Sequence, residues 1–204
     1  MTPTHFDCLL LKCTQSPTQA QLATWLHSLA LARPVHAQQA STPAAENGQP
    51  MHHVYIDWGT PQHLAAYDPA ALAARWHELH GSTLTVSRLQ RVLDLAGTAH
   101  GQRAPTHYVV ETDPGDGWDQ EIADWYAQEH LPGLAAVPGT VRAQRCINLD
   151  HAPHSFACYD LTDLSVLETP QWLAVRGTAW SDRCRPHFTN TLRTPFAHLV
   201  SLTF

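Results

Sequence analysis

Lysine is almost absent from this sequence. Lys12 is the only one, and Lys and Arg never gather into a run. Phosphate backbones and anionic lipid surfaces are held by clustered cations, so the pattern argues against a nucleic-acid or membrane partner. Long apolar runs are missing too: no stretch approaches the roughly 20 residues of a membrane-spanning helix. The first residues, Met1 to Asp7, lack the basic-then-apolar order of a secretory signal. The five cysteines, Cys8, Cys13, Cys146, Cys158 and Cys184, are odd in number and contain no CxxC pair. That argues against a disulfide or zinc framework and implies reduced thiols in a cytoplasm. Charged residues are only 15% of the chain, with 12 Lys+Arg against 18 Asp+Glu and a net charge of -6. What is present is apolar: 44% of the 204 residues, enough for a packed core and too much for a disordered chain. This length suits one large domain or two small ones. Histidine, at 15, is in excess and raises the question of a metal.

The chain reads as two similar halves. Gly97 to Pro105 has two Gly, a Pro and no apolar periodicity, the mark of a linker, which predicts domains at 1–96 and 105–204. Each half opens with a β-type run, Phe6 to Lys12 and His107 to Thr112. A helix follows each. The first has a capping-box pattern, Ser16-Pro17-Thr18-Gln19, with Pro at the first helical position, and an apolar stripe of Leu22, Trp25, Leu26 and Leu29. The second starts near Asp119 and Glu121, carries Ile122, Trp125, Tyr126 and Glu129, and is expected to end at Pro132-Gly133. The helices align Trp25 with Trp125 and Leu31 with Leu131. Further on, Val54 to Trp58 aligns with Ala157 to Leu161, and Trp76 with Trp180. Helical regions opened by Asp68-Pro69 and Thr169-Pro170 come next, and final strands are expected at Leu84 to Leu93 and Phe196 to Phe204. Loops are expected at Ser41 to Pro50 and Asp150 to His154. A repeat of about 100 residues signals a duplicated domain. The order β-α-β-β-α-β in each half predicts an α+β fold of two tandem ferredoxin-like units.

The second half carries Trp125-Tyr126-x-x-Glu129-His130-Leu131-Pro132, Val137-Pro138-Gly139, Ala143-x-Arg145, Tyr159-Asp160-Leu161, Trp180-Ser181 and Arg193. Together these resemble the dimeric α+β barrel superfamily, in its EthD-like (ethyl tert-butyl ether degradation protein type) branch. The resemblance covers Thr106 to Phe204, and reaches the first half only through the repeat. It implies two ferredoxin-like units packed sheet to sheet as a barrel, within one chain or between two, so a homodimer is open. Relatives include muconolactone isomerases, polyketide cyclases, cofactor-independent monooxygenases and haem-binding members. Haem held through His130 is therefore open by analogy, with no cofactor as the default expectation.

The repeat supplies a control. Leu26, Leu29 and Ala30 of the first half become Tyr126, Glu129 and His130 in the second. Buried polar groups without partners cost about 1–3 kcal/mol each, so this helix is expected to border a pocket. His130 is expected as general acid/base, since an unperturbed imidazole titrates near neutrality. Tyr126 would donate to a substrate oxygen, Arg145 or Arg193 would hold an anionic oxygen, and Trp125, Trp180 and Phe188 would form apolar walls. The alternative is a structural Glu129–His130 pair at a helix end. Metal spacing is poor: His77 and His80 are three apart rather than four, and His52-His53 are adjacent and point to opposite faces of a strand. No metal site is expected. The two functional expectations are an enzyme acting on a small apolar or aromatic molecule without a nucleotide cofactor, as an isomerase, cyclase or monooxygenase, and a non-catalytic binding or scaffolding protein of the same fold.

Overall fold

The structure, a computed structural model, describes residues 3–29, 36–42 and 50–203. It is a mixed α+β fold of eight strands. The chain divides into two compact units, one of Met1–Gln90, Leu149–His151 and His198–Phe204, the other of Arg91–Asn148 and Ala152–Ala197. The first holds β1 (His5–Cys13), α1 (Gln19–Ser28), β2 (His36–Thr42), β3 (Met51–His63), α2 (Pro69–His80) and the first half of β4 (Thr85–Ala96). Its pairings are all antiparallel, in the order β4-β1-β3-β2. The second holds β5 (Thr106–Pro114), a long helix in three parts, β6 (Thr140–Asn148), β7 (Ser155–Leu161), α5 (Pro170–Arg176), α6 (Ala179–Cys184) and most of β8 (Phe188–Thr203). Its order is β8-β5-β7-β6, again antiparallel.

The first core forms where α1 and α2 lay their apolar stripes on the sheet. Leu9, Leu11, Val54, Ile56 and Val86 face Leu22, Trp25, Leu26, Leu72 and Trp76. Each fully buried large side chain contributes roughly 1.5–3 kcal/mol. Trp25 and Trp76 meet edge to face at 6.1 Å. Both indole N–H groups are satisfied: Trp25 Nε1 donates to the Leu72 carbonyl at 3.2 Å and Trp76 Nε1 to Ser82 Oγ at 2.9 Å. Trp25 and Trp76 are therefore buried with their N–H groups satisfied, whereas the buried Trp58 of the same unit has no acceptor for its indole N–H among the described residues.

Several local expectations shift. The capping box of α1 is Thr18 with Gln21, not Ser16 with Gln19: Thr18 has extended backbone and accepts from the Gln21 N–H at 3.2 Å, which leaves Pro17 ahead of the cap. Pro132-Gly133 does not end its helix. The chain runs α3 (Asp119–Trp125), a π-helical turn (Tyr126–His130) and α4 (Leu131–Ala135) without a break. The Leu131 N–H reaches back five residues to the Tyr126 carbonyl. Pro132 then falls in the first turn of α4, where its missing N–H costs least. Gly133 is a close-approach residue: a Cβ there would lie 2.8 Å from Val175 Cγ1. The last strand starts at Phe188, eight residues early, so Arg193 lies within β8 rather than before it. Trp180 does not take the place of Trp76. The helix breaks at Gly177 and restarts at the Thr178 cap, and it is Trp172 in α5 that is fully buried, at 1% exposure. Leu31, residues 43–49 of the expected first-half loop and Phe204 lie outside the described residues.

The expected linker is pinned down. Gly97 N–H donates to the Val141 carbonyl and Ala99 N–H to the Thr140 carbonyl, both at 2.9 Å. A Cβ on Gly97 would stand 2.0 Å from the Thr140 carbonyl oxygen. Backbone cannot retreat as a side-chain tip can. Gly97→Ala is expected to destabilise the protein by about 2–3 kcal/mol, read as a lowered urea midpoint with unchanged slope.

Candidate functional site

The second unit builds on the same register with different side chains. In the first sheet Leu9 pairs with Ile56 and Leu11 lies opposite Val86. The corresponding pairs of the second sheet are Tyr108 with Tyr159 and Val110 with Arg193. With Leu26 replaced by Tyr126, three apolar helix-facing positions have become tyrosines and one an arginine. They do not close over. A cavity of about 30 Å3 remains, lined by Tyr108, Val110, Trp125, Tyr126, His130, Leu134, Tyr159, Trp172, Arg176, Arg185, Phe188 and Arg193. This is room for one or two waters, or for a carboxylate head.

The π-turn aims its two ends into this cavity. One extra residue in the turn shifts the side chains after it around the helix, and such turns recur at functional sites. The His130 ring stacks on Trp125 at 4.0 Å and meets Tyr126 edge-on at 5.5 Å. Tyr126 stacks in parallel with Phe188 at 6.4 Å, and Arg145 lies over its ring at 4.7 Å. Unlike Trp25, Trp125 has no acceptor for its indole N–H among the described residues, and His130 Nδ1 has no partner among them. Burial, followed by the charges of Arg176 and Arg185, pushes His130 down to about 3, so its imidazole is neutral at pH 7. Burial pushes the Tyr126 hydroxyl up to about 12 and keeps it protonated as a donor.

The cavity gathers five of the eight residues predicted to form the site: Trp125, Tyr126, His130, Phe188 and Arg193. Arg145 sits behind Tyr126 and lines a separate open groove of about 990 Å3 beside the Asp113–Gly117 turn. Glu129 accepts from Thr178 Oγ1 at 2.5 Å and ties the π-turn to the cap of α6, so the Glu129–His130 pair is not made. Trp180 stands outside the cavity, donating to Glu121 at 2.9 Å with Arg183 over its ring. Tyr108, Tyr159, Trp172, Arg176 and Arg185 were not foreseen. The Ile56-to-Tyr159 exchange is visible in the repeat. Arg176 ends α5 just before the break and Arg185 caps the far end of α6, a helix for which the repeat has no counterpart to compare.

No protein-family model matches the chain, and neither does any curated protein sequence. Solved structures do. A candidate monooxygenase of Fusobacterium nucleatum superposes with a TM-score of 0.60 at 10% identity, over 98% of this chain and 97% of that one. One from Lactobacillus acidophilus gives 0.57 at 10%, over 99% and 100%. A chlorite dismutase variant from Candidatus Nitrospira defluvii gives 0.54 at 12%, over 95% and 92%. The likeness is one of fold. These neighbours have dimeric α+β barrel folds.

Haem, which that superfamily brings into question, does not fit these residues. Cofactor pockets run roughly 300–1,000 Å3, far above this cavity, and the His130 ring is packed against Trp125. Among the described residues no three His, Cys, Asp or Glu side chains converge on a metal-sized site, and no helix is long and apolar enough to cross a membrane.

Proposed function

We propose that the chain is a small-molecule enzyme without a nucleotide cofactor, acting through the cleft beside His130. The reaction is the shared opening step of an isomerase, a cyclase or a cofactor-independent monooxygenase: removal of a proton from the carbon next to a carbonyl, or from the hydroxyl of a phenol, of an aromatic substrate. The proton passes to an imidazole nitrogen of His130 and the electron pair stays on the substrate as an enolate or phenolate. Tyr126 donates to the substrate oxygen. Tyr108 and Phe188, half-buried at the cavity, meet the substrate ring. The observation that carries this reading is the π-turn cleft, where the first unit's satisfied tryptophan and leucines give way to an orphaned indole, an orphaned imidazole and three tyrosines. We also read the two units as tandem ferredoxin-like repeats, bounded near 1–96 and 105–204, with the second of EthD-like type.

The test is hydrogen–deuterium exchange at the acidic C–H of enolisable aromatic ketones and naphthols in D2O, followed by NMR. Enzyme-dependent exchange is expected, lowered at least about 100-fold in His130→Gln. Unchanged exchange in a folded variant would sink the assignment. Oxygen uptake under air separates a monooxygenase from the other two. The small cavity favours one alternative, a non-catalytic binder of the same fold, which predicts ligand binding with no exchange at all.

A further inference from the structure

Three arginines border the cleft, and among the described residues none meets a carboxylate. Arg176 ends α5, Arg185 follows α6 and Arg193 is on β8, so three separate elements bring guanidinium groups to one cavity. Four arginines elsewhere are neutralised: Arg75 pairs with Glu78, Arg88 with Asp150, Arg142 with Asp94 and Arg183 with Glu121. Around the cleft the contacts are of another kind. Arg185 Nη1 donates to the Arg176 carbonyl at 3.3 Å, and the carboxylate acting on Arg185, that of Asp182, makes no ion pair with it. Burial and the charges of Arg176 and Arg193 disfavour the Arg185 cation. Arg176 and Arg185 are half-buried and Arg193 is exposed, so the cluster stands open to an anionic ligand from solvent, which its like charges favour. Nor does the fold require it, because the register position of Arg193 is held in the first unit by Val86, buried at 3% exposure.

We infer that Arg176, Arg185 and Arg193 form a carboxylate-binding subsite, and that the cleft takes an aromatic carboxylate. Guanidinium forks match carboxylate geometry, and the cavity accommodates the head group. Tyr108 and Phe188, both only half-buried, supply the surface for a ring that stays at the mouth of the cavity. The bound anion would also offset the two arginines that disfavour the His130 imidazolium, so that the ligand itself restores the base. This inference rests on the proposed cleft but not on turnover.

Benzoate, benzyl alcohol and cyclohexanecarboxylate are titrated against the whole chain, with tryptophan fluorescence and calorimetry as readouts. Benzoate is expected to bind at least about tenfold tighter than either of the others. Arg185→Gln and Arg176→Gln are each expected to weaken benzoate about tenfold or more, whereas the distant Arg142→Gln leaves it unchanged. The His130 ring proton, followed by NMR, is expected to titrate at higher pH with benzoate bound. Equal binding of benzoate and benzyl alcohol by the unaltered chain overturns the inference without relying on any variant, and so does benzoate binding indifferent to both arginine substitutions. Benzoate binding without deuterium exchange on any substrate keeps the subsite and removes the enzyme. Exchange that depends on His130 but not on the arginines does the reverse.

Discussion

Acidification from pH 6.5 towards 3 is expected to strip this protein of stability through one side chain. His130 titrates near 6.5 in an unfolded chain and is held down to about 3 in the fold by burial and by Arg176 and Arg185. Between those values the unfolded state binds a proton that the folded state refuses. Stability therefore falls as pH falls, by about 1.4 kcal/mol per unit and by roughly 4–5 kcal/mol in all. Above pH 6.5 the residue contributes no pH dependence. Other groups titrate in the same range, so the measurement is the difference between the unaltered chain and His130→Leu in urea unfolding at stepped pH. The leucine variant is expected to lack this part of the slope. At pH 7 it should be at least as stable, because it removes the orphaned Nδ1 from the interior. Parallel pH profiles for the two proteins would show that His130 is not held neutral by its surroundings.

Asp150→Ala is expected to cost about 3–5 kcal/mol, the scale of breaking a buried ion pair from one side. Asp150 accepts from Arg88 Nε at 2.9 Å and from the Arg88 backbone N–H at 2.6 Å, and it is only 10% exposed. The same guanidinium also donates to the carbonyls of Leu64 and Tyr67, at 2.9 and 3.1 Å. Removing the carboxylate leaves an enclosed cation and an N–H without their acceptor. The contrast is Asp94→Ala. Asp94 binds Arg142 at 2.6 Å, but the two side chains are 35% and 37% exposed, and the expected loss is no more than about 1 kcal/mol. Denaturant melts of both variants read the difference directly, and equal losses would refute the burial argument.

Much of the candidate site was legible because the chain carries its own comparison. Tyr126 and His130 stand out only beside Leu26 and Ala30, and Tyr159 beside Ile56. What the comparison could not supply was the path of the helix between them. Pro132-Gly133 has the local signature of a helix end, yet a π-turn and a close approach to Val175 carry the helix through. Trp180 looked like the partner of Trp76 by spacing, and a break at Gly177 turned it outward and buried Trp172 instead. Gly97 looked like a flexible link and is a packing residue against the Thr140 carbonyl.

The sequence by itself determined the class and the order of elements, because apolar periodicity, caps and turn residues act over a few neighbours. It also marked the second half as the more polar one. Only the tertiary structure decided which of those polar residues meet around one cavity. Arg176, Arg185 and Arg193 are spread over 18 residues and three elements, and nothing local draws them together. Their convergence on an aromatic cleft depends on how helices seat on a sheet. So does the neutral state of His130, since desolvation and neighbouring charge are properties of a place in the fold rather than of a residue in a chain.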